Sequence, residues 1–182
     1  MGISQTPQAL VPATLGASDN FTLLNTGGTA LTGATTITVS GISGKNRLYV
    51  WVDSLSCAST GLSYVTLRLN TDTGSNYYEA GFKGQTNNTV GPYNSNGEVY
   101  YMLGRFDRST TANYCGIQID GCNSTGIKTI STVSGMQAYN NSGEFSLVTV
   151  GHYTGSSAIT SVSLYTLDGQ NFDNGTMYVY GA

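Results

Sequence analysis

Hydrophobic and polar residues alternate with a period of two along most of this chain, and Gly, Asn and Ser clusters interrupt the alternation. The pattern predicts strands over 21–24, 36–40, 47–54, 64–70, 76–82, 98–104, 114–120, 127–133, 144–153, 159–167 and 176–180. In 64–70, Val65, Leu67 and Leu69 face inward while Thr66 and Arg68 face outward. Segment 47–54 differs. Leu48, Val50 and Val52 line one face and Tyr49 and Trp51 the other, so its outer face is expected to be covered as well. Segment 127–133 reads as bulged, because Ile127 and Ile130 are three apart. Adjacent tyrosines (Tyr77-Tyr78 and Tyr100-Tyr101) must point to opposite faces, which puts one of each pair outward. Residues 84–97, Asn-rich and holding Pro92, read as a long exposed loop.

Gly occurs 24 times in 182 residues, on average every seven or eight, which argues against helices. Ten or eleven short strands without an interdomain linker imply two packed antiparallel sheets. The expected fold is all-β: a single jelly-roll-like antiparallel β-sandwich over 19–182, behind an extended N-terminal arm over 1–18. The length suits one well-buried core. The arm has no charge, two of the three prolines (Pro7, Pro12), and apolar residues at Ile3, Leu10, Val11 and Leu15. It lacks the basic start and continuous apolar stretch of a signal peptide. Two readings stand for it: a free tail, or a segment that docks on a neighbour through those four apolar residues.

Composition narrows the function. Only 17 residues are charged (seven Lys or Arg, ten Asp or Glu), and there is one His. An average domain of this length carries roughly 45 charges. The net charge of −3 and the seven scattered basic residues exclude a nucleic-acid partner. No run approaches the roughly 20 apolar residues of a membrane-spanning helix, and no membrane partner is expected. The three cysteines, Cys57, Cys115 and Cys122, lack metal-site spacing and read as reduced, mostly buried thiols of a protein made in a cytosol.

Catalytic chemistry finds little to work with. A nucleophilic triad would have to use His152, which shares a strand face with Val148 and Val150 and has no G-x-S-x-G elbow beside it. Carboxylate pairs can be drawn, Asp107 with Asp120 or Asp168 with Asp173, but most of the acids sit in turn contexts. Asn70-x-Asp72-x-Gly74-x-Asn76 spaces oxygen ligands as a calcium loop would, yet a hairpin turn uses the same residues. The expectation is therefore no catalytic residue, no metal and no cofactor. The 13 Tyr and one Trp remain as binding groups, suited equally to protein contact and to sugar stacking.

Two segments carry a resemblance. Ala158-Ile159-Thr160-Ser161-Val162-Ser163-Leu164, with Gly169-Gln170-Asn171-Phe172-Asp173-Asn174-Gly175-Thr176 and the closing Tyr180-Gly181, is similar to the last strands of β-sandwich domains on virion-surface proteins of tailed bacteriophages. The run Thr66-Leu67-Arg68-Leu69-Asn70-x-Asp72-Thr73-Gly74-Ser75-Asn76-Tyr77 resembles a second motif of the same proteins. Together they cover about a quarter of the chain, and their residues are structural. The resemblance implies a capsid decoration or cement protein, a homotrimer whose partner is the major capsid protein. It would be assembled in the host cytoplasm and located on the capsid surface of the virion. Ile3, Leu10, Val11 and Leu15 would anchor the arm to the capsid. The alternative is a receptor- or glycan-binding tip of a tail or head fibre, with Tyr93 in 84–97 and Tyr77 or Tyr78 stacking on sugar.

Overall fold

The computed structural model describes residues 20–58, 62–85, 89–107, 112–136 and 145–182. Among them are thirteen strands and no helix. The strands are β1 (Thr22–Leu23), β2 (Thr29–Ala30), β3 (Thr36–Ser40), β4 (Arg47–Cys57), β5 (Leu62–Leu69), β6 (Tyr77–Gln85) and β7 (Val90–Glu98). They continue as β8 (Tyr101–Asp107), β9 (Asn113–Asp120), β10 (Lys128–Gly135), β11 (Phe145–Tyr153), β12 (Ser161–Thr166) and β13 (Phe172–Gly181). All belong to one antiparallel sheet, ordered β1-β13-β4-β9-β10-β11-β8-β5-β12-β3, that curls into a half-barrel. β11 is the branch point. It pairs with β10 along Lys128–Val133, with β6 along its whole length, and with β8 only at Phe145 and Ser146. β7 adds to β6 and β2 to β13.

The core fills the concave side. Leu48, Val50 and Val52 of β4 meet Cys115, Ile117 and Ile119 of β9, with Val65, Leu67 and Leu69 of β5, Val162 and Leu164 of β12, and Met177 and Val179 of β13. Each such aliphatic side chain contributes about 1.5–3 kcal/mol by leaving water. Cys57, Cys115 and Cys122 are free and buried, in line with their reading as reduced, mostly buried thiols. Burial pushes each of their thiols up to about 12, so none is a reactive thiolate near neutral pH.

The structure corrects two local expectations. Of residues 84–97, expected as a loop, Gly84 and Gln85 belong to β6 and the residues from Val90 onward to a strand, Val90–Glu98, that pairs with β6 from Gly84↔Val90 to Tyr77↔Glu98. An edge strand is held by backbone hydrogen bonds and leaves polar side chains in water, so apolar alternation is not needed to form it. β10 is not bulged either. Ile127 precedes the strand and is exposed, while Lys128, Ile130, Thr132 and Ser134 alternate inward without a slip. Lys128 takes the inward place of an apolar residue because its Nζ donates to the Gly155 carbonyl at 2.8 Å, beneath the ring of Tyr153.

The Asn70-to-Asn76 turn is a staple between chain segments. Asp72 Oδ1 accepts the Gly74 N–H at 2.7 Å, and Oδ2 accepts Asn76 Nδ2 at 2.7 Å and the Tyr153 hydroxyl at 2.8 Å. Partial burial raises the Asp72 carboxyl, but these hydrogen bonds and the Arg68 charge outweigh it and hold the group below its ordinary value. Asn70, at φ +55°, accepts the Thr160 N–H at 2.7 Å and the Ser161 N–H at 3.3 Å, and donates to the Ala158 carbonyl at 2.8 Å. Asn tolerates the left-handed region better than Ala does. Asn70→Ala is expected to cost about 2–3 kcal/mol in urea unfolding, through lost bonds and backbone strain together. A loss below ~0.5 kcal/mol would show that solvent replaces the staple.

Candidate functional site

Alternation along seven neighbouring strands (β13, β4, β9, β10, β11, β6 and β7) sends every second side chain to the convex side of the sheet. Cross-strand register aligns these outward residues in rows. The first row runs Tyr178, Trp51, Gly116, Val133, Val148, Phe82, Pro92. The second runs Tyr180, Tyr49, Gln118, Ser131, Val150, Ala80, Asn94. Neither row contains a charge. A third row at the rim holds Arg47 and Asp120, paired at 3.0 Å, then Thr129, His152, Tyr78 and Asn96.

Eleven large hydrophobic side chains are exposed among the described residues, and ten belong to this face or its borders; Leu167 is the exception. Phe82 is 63% exposed, Val133 64%, Val148 54% and Val150 65%. On a monomer, exposed apolar residues are usually scattered singly. Here they adjoin across the strands. Trp51 lies against Tyr114 with ring centroids 6.4 Å apart, and Phe21, Tyr49, Trp51 and Tyr180 make an aromatic corner. The Tyr49 phenol leans over Gly116, where an added Cβ would stand 2.9 Å from its oxygen. A shallow hollow opens between Tyr49 and the valines of β10 and β11.

Other residues singled out from the sequence have structural partners. His152 stacks on Tyr78 with centroids 4.7 Å apart and planes 10° from parallel, on the face of Val148 and Val150 as its position in the alternation required. Asp168 accepts the Ser63 hydroxyl at 2.8 Å, and Asp173 accepts that of Ser56. Of the paired tyrosines, Tyr77 and Tyr101 are fully buried, which leaves Tyr78 and Tyr100 as the accessible members. Tyr93 is half-buried on β7, its hydroxyl donating to Glu79 Oε1 at 3.2 Å. The proposed arm anchors Ile3, Leu10, Val11 and Leu15 lie outside the described residues.

Glu79 is the feature the sequence did not point to. It sits on the inward side of β6 and is 3% exposed. Its Oε1 accepts the Met102 N–H at 3.0 Å, the Ser95 hydroxyl at 3.0 Å and the Tyr93 hydroxyl, while Oε2 has no partner. Burial pushes the carboxyl up to about 7; the three hydrogen bonds pull it down and the charge of Glu98 adds to the rise. The alternation Tyr77, Glu79, Gly81 placed it inward, but no partner for it could be read from β6 alone.

Among the described residues no group of three or more His, Cys, Asp or Glu side chains is placed to hold a metal ion, and no helix is long and apolar enough to cross a membrane. Compared with known protein families and with curated proteins, the chain matches none.

Proposed function

We propose that this chain is a structural virion protein that decorates and stabilises a phage capsid, and that it acts by contact rather than by catalysis. One observation carries the reading: ten exposed large hydrophobic side chains gathered on one convex face and its borders, with the face's two central rows uncharged. Such a face is costly on a free monomer and suits a part in a larger assembly. The phage motifs at 66–77 and 158–181 supply the kind of assembly. In this reading the half-barrel is a jelly-roll-like β-sandwich, the protein is a homotrimer, and the major capsid protein is its partner. The arm over 1–18 reaches the capsid through Ile3, Leu10, Val11 and Leu15. Several modest contacts per oligomer then add up by avidity.

Co-sedimentation with undecorated phage heads tests this. Saturable binding to heads is expected, and it should be lost when residues 1–18 are deleted while the β-domain stays folded. Absence of binding to heads would overturn the decoration reading.

A second reading, a receptor- or glycan-binding tip, has its own observation. The Tyr78–His152 stack lies at the rim of the face beside Asn94 and Asn96, an aromatic platform with amide hydrogen-bonding groups. Under it, the sugar-stacking role falls to Tyr78 rather than to Tyr93, whose hydroxyl is held by Glu79. Binding to host cells but not to heads, lost with Tyr78→Ala, would favour it.

A further inference from the structure

We propose that the convex face is covered by a second copy of this chain, seated with Phe82 of one copy over the Gly116 hollow of the other. The inference rests on the reading of the protein as an assembly part, but it does not require a capsid.

Size supports it first. Seven strands spaced ~4.8 Å apart span roughly 29 Å, and the exposed positions along each strand cover ~20 Å. The projected area is on the order of 600 Å², the most a convex face can bury, and about 1,200 Å² over both partners is the lower edge of the range for specific interfaces. Polarity supports it next. The centre is Val133, Val148 and Val150, and the rim holds the Arg47–Asp120 pair, Thr129 and Asn96. An apolar centre with a polar rim is the anatomy of a protein interface. With no charge in the two central rows, the face offers nothing to a charged partner. The surface that fits it is neutral and apolar, and each further copy brings one.

The first row is also self-complementary. From Gly116 on β9 it passes through Val133 on β10 and Val148 on β11 to Phe82 on β6. A two-fold axis running along the strands between β10 and β11 sets Phe82 opposite Gly116 and Val133 opposite Val148. The prominent ring meets the shallow hollow between the Tyr49 phenol, which leans over Gly116, and the valines of β10 and β11. A closed three-fold ring uses the same knob and hollow once per contact, in place of twice.

The test is the mass of the purified full chain by light scattering and by sedimentation at micromolar concentration. An oligomer is expected. Val148→Asp and, separately, Phe82→Ser should weaken association by at least ~100-fold, because a buried charge or a lost central anchor acts where interfaces are most sensitive. Both variants should keep the wild-type circular dichroism and melt cooperatively, since the positions are exposed on each copy, with the melting temperature lowered only by the stabilisation that association supplies. Leu167→Asp, off the face, should leave the mass unchanged. A monomeric wild type overturns the proposal, as does an oligomer that both face variants leave intact. If the protein is monomeric and Val148→Asp abolishes binding to heads, the face belongs to the capsid. If it is monomeric until residues 1–18 are removed, the face belongs to the chain's own arm. The mass measurement needs no phage heads, so its failure and the failure of the decoration reading are separable.

Discussion

Gly151→Ala should destabilise the protein by at least ~3 kcal/mol, while Gly84→Ala on the same pair of strands should change stability by less than ~0.5 kcal/mol. Gly151 pairs with Glu79 in the β11–β6 register. A Cβ at 151 would stand 2.0 Å from the Tyr78 carbonyl oxygen, 2.9 Å from Glu79 Cα and 2.9 Å from the Tyr101 ring. Two of those three atoms are backbone, so no rotamer change relieves the clash and β6 must move away from β11. Gly81 is the counterpart, with a Cβ there 2.1 Å from the Val148 carbonyl oxygen. At Gly84 a Cβ meets nothing within 4 Å. A shift of ~3 kcal/mol lowers the melting temperature of a domain of this size by roughly 6–12 °C. Calorimetry on the two variants decides the matter, and equal melting temperatures would show that the strands do not approach this closely. Because β6 carries Phe82, Gly151→Ala is also expected to weaken whatever the convex face binds.

Stability should fall as pH rises from about 4.5 to about 7, and Glu79 is the cause. In the unfolded chain its carboxyl titrates at an ordinary value of 4.5, in the folded protein at about 7. Below pH 4.5 both states are protonated and the group contributes nothing to the difference. Between the two values the folded state keeps a proton that the unfolded state has released. Stability therefore declines with rising pH, and the loss is complete above about pH 7. Its size is on the order of 3 kcal/mol. Ionisation would leave Oε2 charged and unpaired between β6 and β8. Glu79→Gln keeps an oxygen for Met102, Ser95 and Tyr93 and removes the titration. Urea unfolding at pH 5 and pH 8 should show a large difference for the wild type and a much smaller one for Glu79→Gln. A wild-type difference that Glu79→Gln reproduces would assign the pH dependence to other groups. Asp72 acts in a separate window: its depressed carboxyl stabilises the fold above the unfolded value, and that contribution is lost as pH falls through the folded value.

Much of the strand inventory was legible in the sequence. Thr36–Ser40 matches the predicted 36–40, and Tyr114–Asp120 lies within Asn113–Asp120. The inward sets Leu48/Val50/Val52 and Val65/Leu67/Leu69 are buried as their spacing required. Where a residue's environment did not follow its polarity, the reading failed. Lys128 and Glu79 are inward because hydrogen bonds replace the water they lose. Val90–Glu98 is a strand because β6 lies beside it, not because its side chains alternate in hydropathy. Two-residue β2 is too short to carry a period at all.

What the sequence by itself determined is therefore local: most of the strands, which side of each of those is apolar, and that Tyr49 and Trp51 share the second side of β4, where the described residues leave them exposed rather than covered. These follow from the two-residue period of an extended backbone, which acts between near neighbours. Which strands become neighbours was decided only by the tertiary structure. Phe82 and Val148 are distant in the chain and adjacent in space because β11 pairs with β6, and Gly116 joins their row through β10. The apolar face exists only once seven strands align their outward residues, and the raised carboxyl of Glu79 exists only once β7 and β8 close over β6. Partner choice and register are set by the summed packing of the whole core. No single strand contains that information, because many pairings satisfy the alternation of any one of them and only one arrangement buries all their apolar faces together.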